Sequence, residues 1–121
     1  MNNEELKERT KKFALRCIRL ARALSDDHLE QHIRIQLMTL STSCAINVRA
    51  SSLTRKRNDI NEKLHKALEE IDGCCFWIEC IITEALKRET KVKPLLAEAL
   101  GLRNSIFNSL NENSKGKNSI T

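Results

Sequence analysis

Residues 54–89 read TRKRNDINEKLHKALEEIDGCCFWIECIITEALKRE, and their spacing decides the fold. Ile60, Leu64, Ala67, Ile71, Cys74, Ile78, Ile81 and Ala85 recur at alternating steps of four and three. Steps of that size put the apolar groups on one stripe of an α-helix. Leu68, Cys75 and Ile82 form a second row beside it. At 1.5 Å per residue the segment makes a helix of roughly 50 Å.

Three more periodic segments flank this one. Upstream, Leu6, Thr10, Phe13, Cys17, Leu20 and Leu24 repeat the pattern, with Glu4 and Glu5 at the positive end of the helix they imply. Ser25-Asp26-Asp27 then reads as a cap and acidic first turn for a helix whose stripe is Ile33, Leu37, Leu40, Cys44 and Val48. Downstream, Leu95, Leu96, Ala99, Leu100, Leu102, Ile106, Phe107 and Leu110 supply the buried side of a last helix, with Pro94 in its first turn. The spacing predicts helices over 4–24, 26–51, 54–89 and 91–111. Gly73 inside the third marks either a bend or a close helix contact.

Composition agrees. The 121 residues contain 3 Gly and 1 Pro, too few to punctuate the reversals of a β-rich chain. Short connections between four helices favour an all-α, antiparallel up-down four-helix bundle. One domain spans residues 1–112, followed by a polar, basic and flexible tail over 113–121.

The acidic N-terminus lacks the pattern of a signal peptide, and the most apolar run, Cys74–Ile82, is far shorter than the roughly 20 residues that span a bilayer. Five cysteines, an odd number scattered along helices, suit reduced thiols better than a disulfide frame. A cytoplasmic protein with no membrane role is expected.

Charge is uneven. The net charge is +5, and residues 1–24 hold seven Lys/Arg against three acids. Arg9, Lys12, Arg16 and Arg19 lie along one flank of the first apolar stripe. A cationic row of this kind suits phosphates, through counterion release. The competing reading is a solvated face, since Glu5–Arg9 and Glu8–Lys12 stand at i,i+4, as do Glu30–Arg34 and Glu62–Lys66 elsewhere. Arg16, Arg19 and Arg22 have no such partner in their own helix. No stacking aromatics interleave the row, which disfavours single-strand binding.

Other candidates are weaker as chemistry. His28 and His32 share a helical face, but they lack a third ligand in pattern, and the cysteines are not spaced as a zinc knuckle. No metal and no cofactor are expected. No nucleophile–base or acid–base set converges, so the chain reads as no enzyme. Gln36, Ser43 and Asn47 project from nearly one side of the second helix and suit a structural polar core that fixes register. Phe76 and Trp77 point away from the third helix's main stripe, and a homo-oligomer interface is the economical cover for them.

A family resemblance joins these features. Gln36-Leu37, Thr42-Ser43 and Asn47, followed by a long helix with Lys63-Leu64, Ala67-Leu68, Glu70 and Trp77, is similar to the four-helix-bundle proteins encoded by intervening sequences in bacterial 23S rRNA genes. The opening Glu5-Leu6-Lys7-Glu8-Arg9-Thr10-Lys11-Lys12-Phe13-Ala14 also resembles that family's first helix. The sequence departs from the family pattern at Thr39, Ala50 and Gly73-Cys74. The resemblance implies a homo-oligomeric ring of bundles, a homopentamer. It also implies kinship with accessory proteins of diversity-generating retroelements, which bind a reverse transcriptase and nucleic acid. The expected function is a non-catalytic oligomeric scaffold that presents basic helical surface to RNA, DNA or a reverse transcriptase-like protein. The alternative is a structural, protein-interacting oligomer with no nucleic-acid role.

Overall fold

A computed structural model describes residues 2–120, with side chains described for 2–113. Among the described residues the chain forms four helices and no strand: α1 (Asn3–Arg22), α2 (His28–Ser51), α3 (Arg57–Thr83) and α4 (Glu89–Ile120). Each packs on its neighbours in chain order, and α4 returns to α1, which closes a four-helix bundle.

The apolar stripes meet inside. Phe13 and Cys17 of α1, Ile33, Leu37 and Cys44 of α2, Ile71, Cys74 and Ile78 of α3, and Leu102 and Ile106 of α4 are essentially inaccessible to solvent. Among the described residues the buried polar side chains are Thr10, Ser41 and Ser51. Each satisfies its hydroxyl by donating to a carbonyl of its own helix: Leu6 at 2.9 Å, Met38 at 3.3 Å and Val48 at 2.6 Å. A group so bonded enters the core without the penalty of an unmet hydrogen bond.

Helix starts follow capping chemistry. Asn2 Oδ1 accepts the Glu5 amide at 2.8 Å, and Asp27 caps α2 by accepting the Glu30 amide at 3.4 Å. The expected Glu30–Arg34 pair does not form, because both side chains serve the α1–α2 turn instead. Glu30 accepts the Ser25 amide at 3.1 Å and the Ser25 hydroxyl, and these bonds hold its carboxyl below the usual range. Arg34 reaches back to α1: its Nε donates to the Ala21 carbonyl at 3.1 Å, and Nη2 to the carbonyls of Leu24 and, at 2.9 Å, Ser25. A guanidinium is well placed on the carbonyls that a helix C-terminus leaves unpaired.

The third helix is shorter than its apolar repeat. It begins at Arg57 rather than 54 and stops at Thr83 rather than 89. Ala85, the last member of the repeat, lies exposed in the left-handed region at φ 52°. The Leu86 amide donates to the Ile81 carbonyl and the Ala85 amide to the Ile82 carbonyl, both at 3.0 Å. This is a Schellman ending with alanine where glycine is usual. The fourth helix starts at Glu89, two residues earlier than expected, so Pro94 falls in its second turn. Its ring deprives the Thr90 carbonyl of an intrahelical donor, and both residues are exposed to water. The backbone of α4 continues to Ile120, beyond the expected end at 111. The side chains of the expected basic tail from 114 onward, and residue 121, lie outside the described residues.

Gly73 resolves to a close contact. A β-carbon there would sit 2.8 Å from Leu40 Cδ1 of α2, so the missing side chain lets the α2–α3 pair close at that level.

Candidate functional site

The four basic residues of α1 do not behave alike. Arg9 is drawn into the seam with α4: Nη2 donates to Glu98 Oε1 at 2.7 Å and Nε to Oε2 at 3.3 Å. A bidentate, half-buried pair of this kind fastens two helices. Lys12 stands 3.9 Å from Glu8, an exposed i,i+4 contact of little strength. Arg16 and Arg19 are exposed, and among the described residues neither has a carboxylate within 4.0 Å. Arg22, in the last turn of α1, is in the same condition. The structure thus keeps Arg16 and Arg19 available along the second half of α1 and gives Arg9 a structural partner. Sequence spacing could not find Glu98, which lies 89 residues away.

The two aromatic residues also separate. Trp77 is half-buried against the core, and its ring meets His32 of α2 edge-on, centroids 5.2 Å apart. Phe76 stays 55% exposed and stands against Trp77 at 4.9 Å, again edge to face. A second apolar surface went unnoticed in the sequence. Leu15 and Ile46 are exposed, and with Ile18 and Ala45 they floor a groove of about 420 Å³ between α1 and α2. Lys7, Lys11 and Arg49, with Glu4 and Glu8, edge the same groove. The signal was present in Ile35, Thr39, Thr42 and Ile46, an outward row on α2 opposite its core stripe.

Gln36, Ser43 and Asn47 lie half-buried. Asn47 Nδ2 donates to Glu70 Oε1 of α3 at 2.7 Å. Gln36 and Ser43 make no side-chain hydrogen bond within the chain among the described residues. Among the described residues the buried polar side chains are the back-bonded Thr10, Ser41 and Ser51 instead.

Among the described residues no group of three His, Cys, Asp or Glu side chains is placed to hold a metal ion. The cysteines are free thiols; Cys17, Cys44, Cys74 and Cys75 are buried and Cys80 half-buried. A hydrogen bond with Cys17 and burial push the Cys74 thiol far up, and burial raises Cys44 as well. Burial lifts Cys75 to about 11. Such thiols stay protonated near neutrality and act as small apolar fillers. No described helix is long and apolar enough to cross a membrane.

The bundle has a solved counterpart. It is similar to a Bacteroides thetaiotaomicron protein of unknown function from the S23 ribosomal protein family, with a TM-score of 0.83. The two share 21% identity over 92% of this chain and 99% of the other. At that identity the likeness establishes the fold. No family model matches the chain, and no curated protein matches it.

Proposed function

We propose that the chain is a non-catalytic helical scaffold that assembles with copies of itself and binds nucleic acid through α1. The observation that carries the proposal is the pair of exposed arginines, Arg16 and Arg19, with no carboxylate within reach among the described residues. An arginine without an internal partner is available to a phosphate, and its guanidinium is shaped to take two phosphate oxygens. Lys12 extends the row by one turn and gives up only a weak contact to do so. The fold neighbour carries a ribosomal-protein family name, which makes RNA the first ligand to test.

Self-assembly belongs to the same proposal: a ring would repeat the α1 surface about an axis and add avidity without strengthening any one contact. The sequence resemblance to the 23S intervening-sequence proteins favours a pentamer in the cytoplasm, with a reverse transcriptase-like protein as a further partner. The exposed Ile46, Ile35 and Phe76 favour a second reading, an oligomer that engages only proteins.

Fluorescence anisotropy on a structured RNA and a duplex DNA, each at low and near-physiological salt, separates the two. Binding that persists at moderate salt, with a log–log slope of several contacts, supports the scaffold on nucleic acid. Binding that vanishes with salt leaves only the general attraction of a +5 chain for polyanions and favours the protein-only reading.

A further inference from the structure

We infer that this chain recognises a second copy of itself by seating Phe76 of one copy in the α1–α2 groove of the next. The inference rests on the self-assembly reading above and names the two faces that would meet.

The projecting face is on α3. Phe76 is 55% exposed, yet its ring is backed by Trp77 at 4.9 Å, and Trp77 is in turn backed by His32 and the core. An exposed aromatic held from behind loses little freedom on docking, which makes it a good anchor. Glu69 and Glu79 share its outward face, seven residues before and three after. Both are exposed, and neither has a cation within 4.0 Å among the described residues. The nearby Asp72 is engaged by Arg103 at 2.8 Å.

The receiving face is of opposite character. Leu15, Ile18, Ala45 and Ile46 floor the groove, whose volume of about 420 Å³ is ample for a phenyl ring. Lys11 and Arg49 stand at its edge, exposed and without a carboxylate within 4.0 Å among the described residues. The groove also carries two acids, Glu4, met by Lys7 at 3.3 Å, and Glu8, whose contact with Lys12 at 3.9 Å is weak, so its three bases Lys7, Lys11 and Arg49 still outnumber them. An apolar projection between two acids and an apolar groove between two bases are complementary in shape and in sign. When each contact seats a single Phe76 in a single groove, the two copies use different faces and the contact is head-to-tail. Each copy uses both faces, and the chain of contacts closes into a ring where the rotation permits.

A mixing experiment tests this. The protein and the variants Phe76→Asp and Ile46→Asp are measured by light scattering after gel filtration, with helicity checked by circular dichroism. The unaltered chain is expected to assemble and each variant to run as a monomer. An equimolar mixture of the two variants is expected to form a heterodimer and nothing larger, because one supplies an intact groove and the other an intact Phe76. Phe76→Ala and Ile46→Ala replace any variant that loses helicity. Variants that stay fully assembled, or a mixture that stays monomeric while the unaltered chain assembles, overturn the pairing but not self-assembly. An unaltered chain that is monomeric at high concentration overturns both.

Discussion

Asn47 Nδ2 of α2 donates to Glu70 Oε1 of α3 at 2.7 Å, a half-buried bond between helices that lies within one turn of Gly73 on α3 and two turns from Leu40 on α2. A carboxylate acceptor makes this bond stronger than a neutral one, and its place between helices ties their register. Asn47→Ala should lower stability by about 1–2 kcal/mol. In a Glu70→Ala background most of that loss should disappear. Urea unfolding of the two single variants and the double variant measures the coupling, and additive losses would show that the bond contributes nothing.

Arg34 fastens the α1–α2 turn through carbonyls of Ala21, Leu24 and Ser25, with Asp26 Oδ1 at 3.4 Å as a weaker fourth partner. Arg34→Ala removes these bonds and returns the carbonyls at the end of α1 to water. The expected loss is about 2 kcal/mol, with Arg34→Lys intermediate because an ammonium cannot span the same fork. Thermal unfolding of both variants checks the order.

The bundle was legible because burial imposes a period, and the stripes over 60–81, 33–48 and 6–24 are uninterrupted. Helix ends were less so. Ala85 fits the apolar repeat, yet it ends in a left-handed cap, since the chain must turn before α4. Partners across helices were the least visible. Arg9 faces an acid at i−4 in sequence but bonds Glu98 on α4, because α1 and α4 pack together only in the folded chain. The α1–α2 groove was missed for a similar reason: it belongs to no helix alone.

Ala85 at φ 52° carries a strain that glycine would not. The left-handed conformation costs an L-residue roughly 1–2 kcal/mol, partly offset by glycine's greater freedom in the unfolded chain. Ala85→Gly is therefore expected to stabilise the protein by about 0.5–1 kcal/mol. A urea midpoint that falls instead would mean the α3 ending differs from a Schellman turn.

Arg9 and the pair Arg16/Arg19 should part company in experiment. Arg9→Ala breaks the bidentate bond to Glu98 and is expected to lower stability by about 1 kcal/mol while leaving the salt dependence of RNA binding nearly unchanged. Arg16→Ala with Arg19→Ala should leave stability within about 0.5 kcal/mol and reduce the log–log salt slope by about two. Equal slopes in all three proteins would remove α1 as the phosphate-binding surface.

Buried thiols give the bundle an alkaline weakness. Burial lifts Cys75 to about 11, above an ordinary 9.0, so the folded state keeps this proton where the unfolded chain releases it. Between those values the unfolded state binds fewer protons, and stability falls as pH rises. Below 9.0 the contribution is fully present. Cys44 and Cys74, raised further, act in the same direction. The urea midpoint is expected to hold from pH 7 to 8 and decline from about 9 upward, with Cys75→Ala flattening the first part of that decline. Thiol labelling at pH 8 gives an independent reading. Cys80, half-buried, should react first, and the four buried cysteines only as fast as the bundle opens.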